Sequence, residues 1–334
     1  MRLKMLGVLL AVLALAPVLA ACGGDDDGGS GDLDDVTIGL TFVPNIQFAP
    51  FYVAIEEGYY EDAGLSVTLN HHAAGADQFG ALVAGQEDML MSAGDETMQA
   101  RAQGVEIVYV AEVFRKYPVA LIAPADSDIA SVADLAGKKV GIPGEYGANY
   151  IGLLALLADA GMTKDDIQIE SVGFTQAQAL LAGQVDAIMG YLNNEPIQLQ
   201  KAGMETRTFP VSDALPIVSN GLVAMADYLD ENPDQARAII EATLRGVEFA
   251  IENPEEAVEI AKEFVPTLDD EQQAADALAV LQASIPLWRA DGVALGSSDP
   301  DAWQQTADFL QANGLLANPV AVGDVYSADY LPEE

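Results

Sequence analysis

The sequence predicts an α/β protein of two lobes with a helical C-terminal region. Three observations predict it. Short runs rich in Val, Ile and Leu alternate with helix-length stretches, the pattern of strands joined by helices over a parallel sheet. That pattern runs to about residue 113 and then restarts near residue 123. From Asp227 onward it gives way to helix periodicity alone.

Ahead of the first strand, Arg2 and Lys4 precede an apolar run from Met5 to Leu19, interrupted only by Gly7 and Pro17. This is the layout of an export signal over residues 1–21, and it is too short for a stable membrane span. It ends in Leu19-Ala20-Ala21-Cys22, which resembles the lipobox of bacterial lipoproteins, so Cys22 is the expected lipidation site. Cys22 is also the only cysteine, which excludes an intramolecular disulfide. Residues 22–35 hold six aspartates and five glycines and cannot bury enough apolar area to fold, so they are expected to be a flexible acidic tether.

The elements follow in order. DVTIGLTF (35–42) alternates like a strand, PFYVAIEEGYYEDAGL reads as a helix closing at Gly64, and SVTLNHH is the next strand. A helix through Val83, a strand at 88–92, a helix at 96–103 and the strand EIVYVAEV complete the first unit. The second unit contains strand, glycine turn and helix in KKVGIPGEYGANYIGLLALLADAGM, the strand IQIESVGF, and helix then strand in TQAQALLAGQVDAIMGY. Asn232-Pro233 and Asn253-Pro254 start helices, others cover 271–285 and 300–312, and VYSADYL ends the chain extended. The expected division is lobe 1 over 36–118 and 222–334, and lobe 2 over 119–221. Segments 116–121 and 216–224 would form a two-strand hinge.

Charge narrows the partners. There are 14 basic and 52 acidic residues, a net charge of -38. Loss of residues 1–21 would remove Arg2 and Lys4 and no acid, leaving 12 basic residues against 52 acidic ones. Nucleic acid is excluded as a partner on these grounds. The acidity suits a high-salt habitat or simply a soluble exported protein.

Ligands of open parallel sheets sit beyond the carboxyl ends of the strands, so the loops there are the candidate site. In TFVPNIQFAPFYVA (41–54), Phe42 and Phe48 offer flat apolar faces and Asn45 a donor and an acceptor, a set suited to a planar heteroaromatic ligand. In SAGDETMQA (92–100), Ser92, Asp95 and Glu96 open a helix; either acid could accept hydrogen bonds from ring amino or imide groups, or Asp95 could cap the helix. IPGEYGANY (142–150) is a glycine turn at a helix start, with Gly144, Glu145, Tyr146, Gly147 and Asn149 as candidates. It is not a Walker loop, since no Gly-Lys-Ser/Thr follows. GYLNNEP (190–196) contributes Tyr191, Asn193 and Asn194, and PIVSNGLVA (216–224) contributes Ser219 and Asn220, with Tyr117 on the other crossover. His71 and His72 are adjacent, hence on opposite faces of a strand, which suits a surface or edge position and not joint metal ligation. No metal site, cofactor site, catalytic residue or acid/base dyad is assigned.

PNIQFAPFYVAIEEGYYEDAGLSVTL, ALVAGQEDMLMSAGDETMQARAQGVEIV, DLAGKKVGIPGEYGANY, AGMTKDDI and NPDQARAIIEATLRGVEFAIENPEEAV resemble one family over residues 36–265. It joins thiamine-pyrimidine-synthase-like proteins with periplasmic binding proteins for sulfonates, thiamine pyrimidine precursors and riboflavin. The resemblance implies a two-lobed periplasmic binding protein fold of the type II, Venus-flytrap kind. It also implies a substrate-binding lipoprotein that delivers its ligand to the permease and ATPase subunits of an ABC importer. Thiamine pyrimidine precursor and riboflavin compete as the expected ligand. Sulfonates are disfavoured because the five loops contain no arginine. The alternative is the synthase branch, which uses pyridoxal phosphate and its own histidine. Its lysine and histidine align with Ser92 and Glu96, and its cysteine-rich motif with PIVSN, so all three are replaced; the GEYG turn that holds the cofactor phosphate there is kept at Gly144–Gly147.

Overall fold

A computed structural model describes residues 33–73 and 77–332. The export signal, Cys22 and the tether up to Asp32 lie outside the described residues. The chain enters structure earlier than expected, since Asp34 and Asp35 already belong to β1 (Asp34–Leu40) and pair with Leu65 and Ser66. Their side chains stay in water while their backbone groups bond within the sheet.

Lobe 1 begins with β1, α1 (Ala49–Glu56), α2 (Tyr59–Asp62) and β2 (Leu65–His71). Gly64, at φ 80°, takes the left-handed turn that aims the chain into β2, a conformation a side chain would oppose. Then come α3 (Gly80–Val83), β3 (Met89–Ala93), α4 (Gly94–Ala102) and β4 (Ile107–Glu112). The chain crosses to lobe 2, which holds β5 (Val119–Pro124), β6 (Lys139–Ile142), α5 (Gly147–Asp159), β7 (Gln168–Ser171), α6 (Gln176–Leu181), β8 (Ala187–Tyr191), α7 (Glu195–Lys201), β9 (Thr206–Pro210) and α8 (Val211–Ala214). It returns through β10 (Asn220–Met225).

Each lobe has a five-stranded sheet, ordered β2-β1-β3-β10-β4 and β7-β6-β8-β5-β9. The sheets are mixed, not wholly parallel as the alternation suggested. β10 runs antiparallel to β3 and β4, and β5 antiparallel to β8 and β9. These two strands follow the crossovers, so each enters its sheet from the opposite end to strands built by strand–helix–strand units. The linking segments lie earlier in the chain than expected: residues 119–121 lie in β5 and 220–224 in β10, which leaves 113–118 and 215–219 to cross.

The remaining helices are α9 (Ala226–Glu231), α10 (Pro233–Glu252), α11 (Pro254–Ala261), α12 (Glu271–Trp288), α13 (Pro300–Ala312) and α14 (Val322–Val325). Proline opens α10 and α11 where its missing N–H costs nothing, while Asp270 and Asp299 cap α12 and α13 through the first free N–H groups. α10 packs on α1 so closely that a Cβ at Gly246 would strike the Pro50 carbonyl. The chain end is pinned to lobe 1, with Tyr326 stacked on Trp303 at 5.4 Å and Trp303 set edge-on to Tyr109 at 4.9 Å. A side chain of this size contributes about 2 kcal/mol or more when buried, which accounts for the anchoring. VYSADYL is thus extended only in part, since Val325 ends α14.

One core cluster lies between the lobe 1 sheet and helices α1, α10, α11 and α12. A second is continuous across the crossovers, joining Leu90 and Tyr109 of lobe 1 to Val140 and Leu153 of lobe 2 through Ile217 and Val218. The strand ends of both sheets are thereby held facing one cleft.

Candidate functional site

A cavity of about 900 Å³ lies between the lobes. From lobe 1, Phe42, Phe48, Met91 and Phe114 reach it, with Gln47, Gln78, Glu96, Gln99 and Asn220 around them. From lobe 2 come Tyr146, Gly147, Asn149, Phe174, Tyr191 and Asn194, with Gln176, Gln178, Glu195 and Gln198. The walls meet where Phe42 and Phe174 approach to 5.7 Å between ring centroids.

Nine of the residues expected from sequence line this space: Phe42, Phe48, Glu96, Tyr146, Gly147, Asn149, Tyr191, Asn194 and Asn220. The others serve behind it. Asn45 is spent on its own turn, accepting from the Gln47 N–H at 2.9 Å and donating to the Val43 carbonyl at 2.9 Å. It thereby positions Gln47, which does reach the cavity. Ser92 is buried and accepts from Gln78 Nε2 at 3.4 Å. The Tyr117 hydroxyl donates to Asp95 Oδ2 at 2.6 Å and lies 3.2 Å from the Ala148 carbonyl, so both residues tie the crossover to α4 and α5. Asp95 also accepts the Glu96 N–H at 2.9 Å. Asn193 is 0% exposed and donates to Ser284 on α12 at 2.7 Å, docking lobe 2 on that helix. The Ser219 hydroxyl faces the Lys116 carbonyl at 3.4 Å, joining the two crossovers. Gly144 is covered by the Tyr146 ring, and Glu145 points outward to Lys164 at 4.0 Å.

Three groups escaped the sequence reading. The loop after β7, "GFTQAQ", supplies Phe174, Gln176 and Gln178, and the strand-end rule applied elsewhere would have found it. Phe114 sits on a crossover, where no periodicity marks it. Seven glutamines, counting Gln103, turn the lining into a set of neutral donors and acceptors.

The charged lining is one-sided. Asp77, Glu96, Glu195 and His72 reach the cavity, and among the described residues no Lys or Arg does. Burial raises the Glu96 and Glu195 carboxyls; Asp95 is pushed up to about 7, first by burial and then by the charge of Glu96. The Tyr191 N–H donates to Glu195 Oε2 at 2.7 Å, which holds that carboxylate along the β8–α7 turn. Asn149 is 8% exposed, and its Oδ1 has no partner among the described residues.

His71 ends the edge strand β2 and His72 follows it, and both are engaged. His71 Nδ1 lies 2.9 Å from the Phe42 carbonyl and Nε2 lies 3.2 Å from the Tyr52 hydroxyl, a pairing that suits the neutral ring, and burial lowers its pKa. His72 Nε2 lies 2.6 Å from Glu87 Oε1. Among the described residues no cluster of three or more His, Cys, Asp or Glu is placed to hold a metal ion.

Two mixed sheets with helices on their faces, two crossovers and a cleft at the strand ends define a two-lobed periplasmic binding protein fold. Solved structures agree. The aliphatic sulphonate binding protein SsuA of Escherichia coli superposes with a TM-score of 0.71 at 19% identity, covering 87% of this chain and 91% of that one. The alkanesulfonate-binding protein SsuA of Xanthomonas axonopodis, bound to MOPS, gives 0.70 at 19%, covering 89% and 99%. The chain belongs to the NMT1/THI5 like family, whose profile matches residues 45–257. The riboflavin-binding protein RibY of Chloroflexus aurantiacus is 32% identical over 99% of this chain and 98% of its own. The formylaminopyrimidine-binding protein of Halalkalibacterium halodurans is 28% identical over 97% and 98%. A 4-amino-5-hydroxymethyl-2-methylpyrimidine phosphate synthase of Legionella pneumophila is 26% identical over 70% and 74%.

Proposed function

We propose that this chain is the substrate-binding component of an ABC importer and captures a neutral, flat heteroaromatic vitamin, with riboflavin as its ligand. The observation that carries this reading is the cavity itself: aromatic rings on both walls, carboxamides and carboxyls between them and, among the described residues, no Lys or Arg to hold a sulfonate or phosphate. Rings stack on a planar guest, and edge amides read its donors and acceptors. A volume of about 900 Å³ leaves room for a tricyclic ring with a polyol side chain, where a single pyrimidine would fill little of it. The relative named for riboflavin supports the same choice.

Capture works by closure. A ligand that touches both walls stabilises the state in which lobe 2 is folded onto lobe 1, and the two crossovers supply the hinge. Delivery then passes to a membrane permease driven by an ATPase, with the protein held outside the cytoplasm by a lipid on Cys22. Fatty-acid labelling lost in Cys22→Ser tests the anchor, and persistent labelling of the variant would refute it.

Calorimetry of purified protein with riboflavin, hydroxymethylpyrimidine, its formylamino relative and taurine tests the ligand. Riboflavin is expected to bind tightest, at micromolar Kd or below; no vitamin binding below millimolar overturns the reading. The pyridoxal-phosphate chemistry of the synthase relatives needs a lysine for its Schiff base. Among the described residues the lining offers none, and Ser92 lies buried behind Gln78. The residues present do not fit that cofactor. An absorbance band abolished by borohydride would reverse this conclusion.

A further inference from the structure

We propose that Glu96 is a selectivity residue, set against the start of α5 across the cleft so that the cavity accepts an uncharged ligand and rejects its phosphorylated form. The inference rests on the ligand reading above and adds the charge rule that governs it.

The geometry begins with α5, whose thirteen residues start at Gly147. Its free N–H groups attract negative charge, yet Tyr146 at the cap provides no side-chain acceptor and no acid occupies the first turn. A phosphate would ordinarily suit such an end. Here the place is taken. A Cβ built at Gly147 would lie 3.4 Å from Glu96 Oε1, so a carboxyl of lobe 1 already faces the helix start of lobe 2. Gly147 stands at φ 64°, a conformation that disfavours any side chain and keeps the approach open.

The surroundings supply no counter-charge. Asp77 and Glu195 are the other acids of the lining, and among the described residues no Lys or Arg joins them. Asp95, one residue back, is a second buried carboxyl, pushed up to about 7 first by burial and then by its neighbour Glu96, and burial raises Glu96 as well, so further negative charge is unwelcome here. A second acceptor, the partnerless Oδ1 of Asn149, sits on the first turn of α5. Two acceptors call for ligand N–H or O–H groups, and a dianion brought beside them finds further oxygen acceptors and, among the described residues, no Lys or Arg to hold it.

The test is a fluorescence titration of purified protein with riboflavin and with riboflavin 5′-phosphate. Wild type is expected to bind the phosphate at least about a hundredfold more weakly. Glu96→Gln should narrow that ratio about tenfold or more, while Glu145→Gln, which points away from the cavity, should keep the wild-type ratio. Equal affinity of wild type for both flavins overturns the inference and leaves the ligand reading intact. Undiminished discrimination by Glu96→Gln overturns it as well. A protein that binds no flavin loses the ligand reading alone; the same ratio and variants are then measured with hydroxymethylpyrimidine and its phosphate. Failure to bind either pair sinks both.

Discussion

The two walls of the cavity are built from similar residue types and stand in opposite states. On lobe 1, Phe48 and Phe114 are 6% and 3% exposed and belong to cores that extend to α1, α10 and α12. On lobe 2, Tyr146 and Phe174 are 55% and 51% exposed, on turns that precede α5 and α6. The first wall is therefore finished before a ligand arrives, because its rings are paid for by the fold. The second wall gains burial only when something lies beneath it. Lobe 1 acts as the platform and lobe 2 as the cover.

The contrast can be broken most forcefully at Phe48. Phe48→Ala is expected to cost about 3–5 kcal/mol of stability in chemical denaturation, as for other large buried aromatics; a cost near zero would mean that the platform is not part of the core. Phe174→Ala should behave in the opposite way. Its stability is expected to stay within about 0.5 kcal/mol of wild type, while affinity for riboflavin falls about tenfold through the lost aromatic contact. Were the variant to unfold early and bind normally, cover and platform would have to be exchanged.

The smallest effect concerns the boundary between the lobes, where Tyr117 bonds Asp95. The Asp95 carboxyl is raised from its ordinary 3.8 to about 7 by burial and by Glu96, so the folded protein holds this proton more tightly than the unfolded chain does. Its contribution to stability is fully present below about pH 4 and is lost as the pH rises through about 7. Between pH 5 and 8, Asp95→Asn should therefore show a decline in Tm shallower than wild type by about a few degrees. Parallel curves for the two proteins would remove Asp95 from this role.

Much of the fold was legible because its signals are local. The alternation in DVTIGLTF marks β1, and Asn-Pro marks the starts of α10 and α11. The antiparallel strands β5 and β10 were not legible as such, since direction within a sheet depends on where the chain re-enters after a crossover. The site divided along the same line. Glu96, Tyr146 and Asn194 were found because each follows a strand, and all three line one cavity. Asn193 follows a strand and Ser219 leads into one, yet they bond to Ser284 and to the Lys116 carbonyl, 91 and 103 residues away in the chain.

By itself the sequence determined many of the strands and helices, though not β5, β9 or the short helices α7, α8, α9 and α14, together with the acid excess, the family, and the chemical type of the loops at the strand ends. Those properties arise from neighbours a few positions apart, or from simple counting. The tertiary structure alone decided which polar side chains remain available to a ligand and which are consumed within the frame. It also placed Glu96 of one lobe against α5 of the other. A hydrogen bond or a charge contact is made at about 3 Å in space, and chain distance does not reveal which residues folding will bring that close.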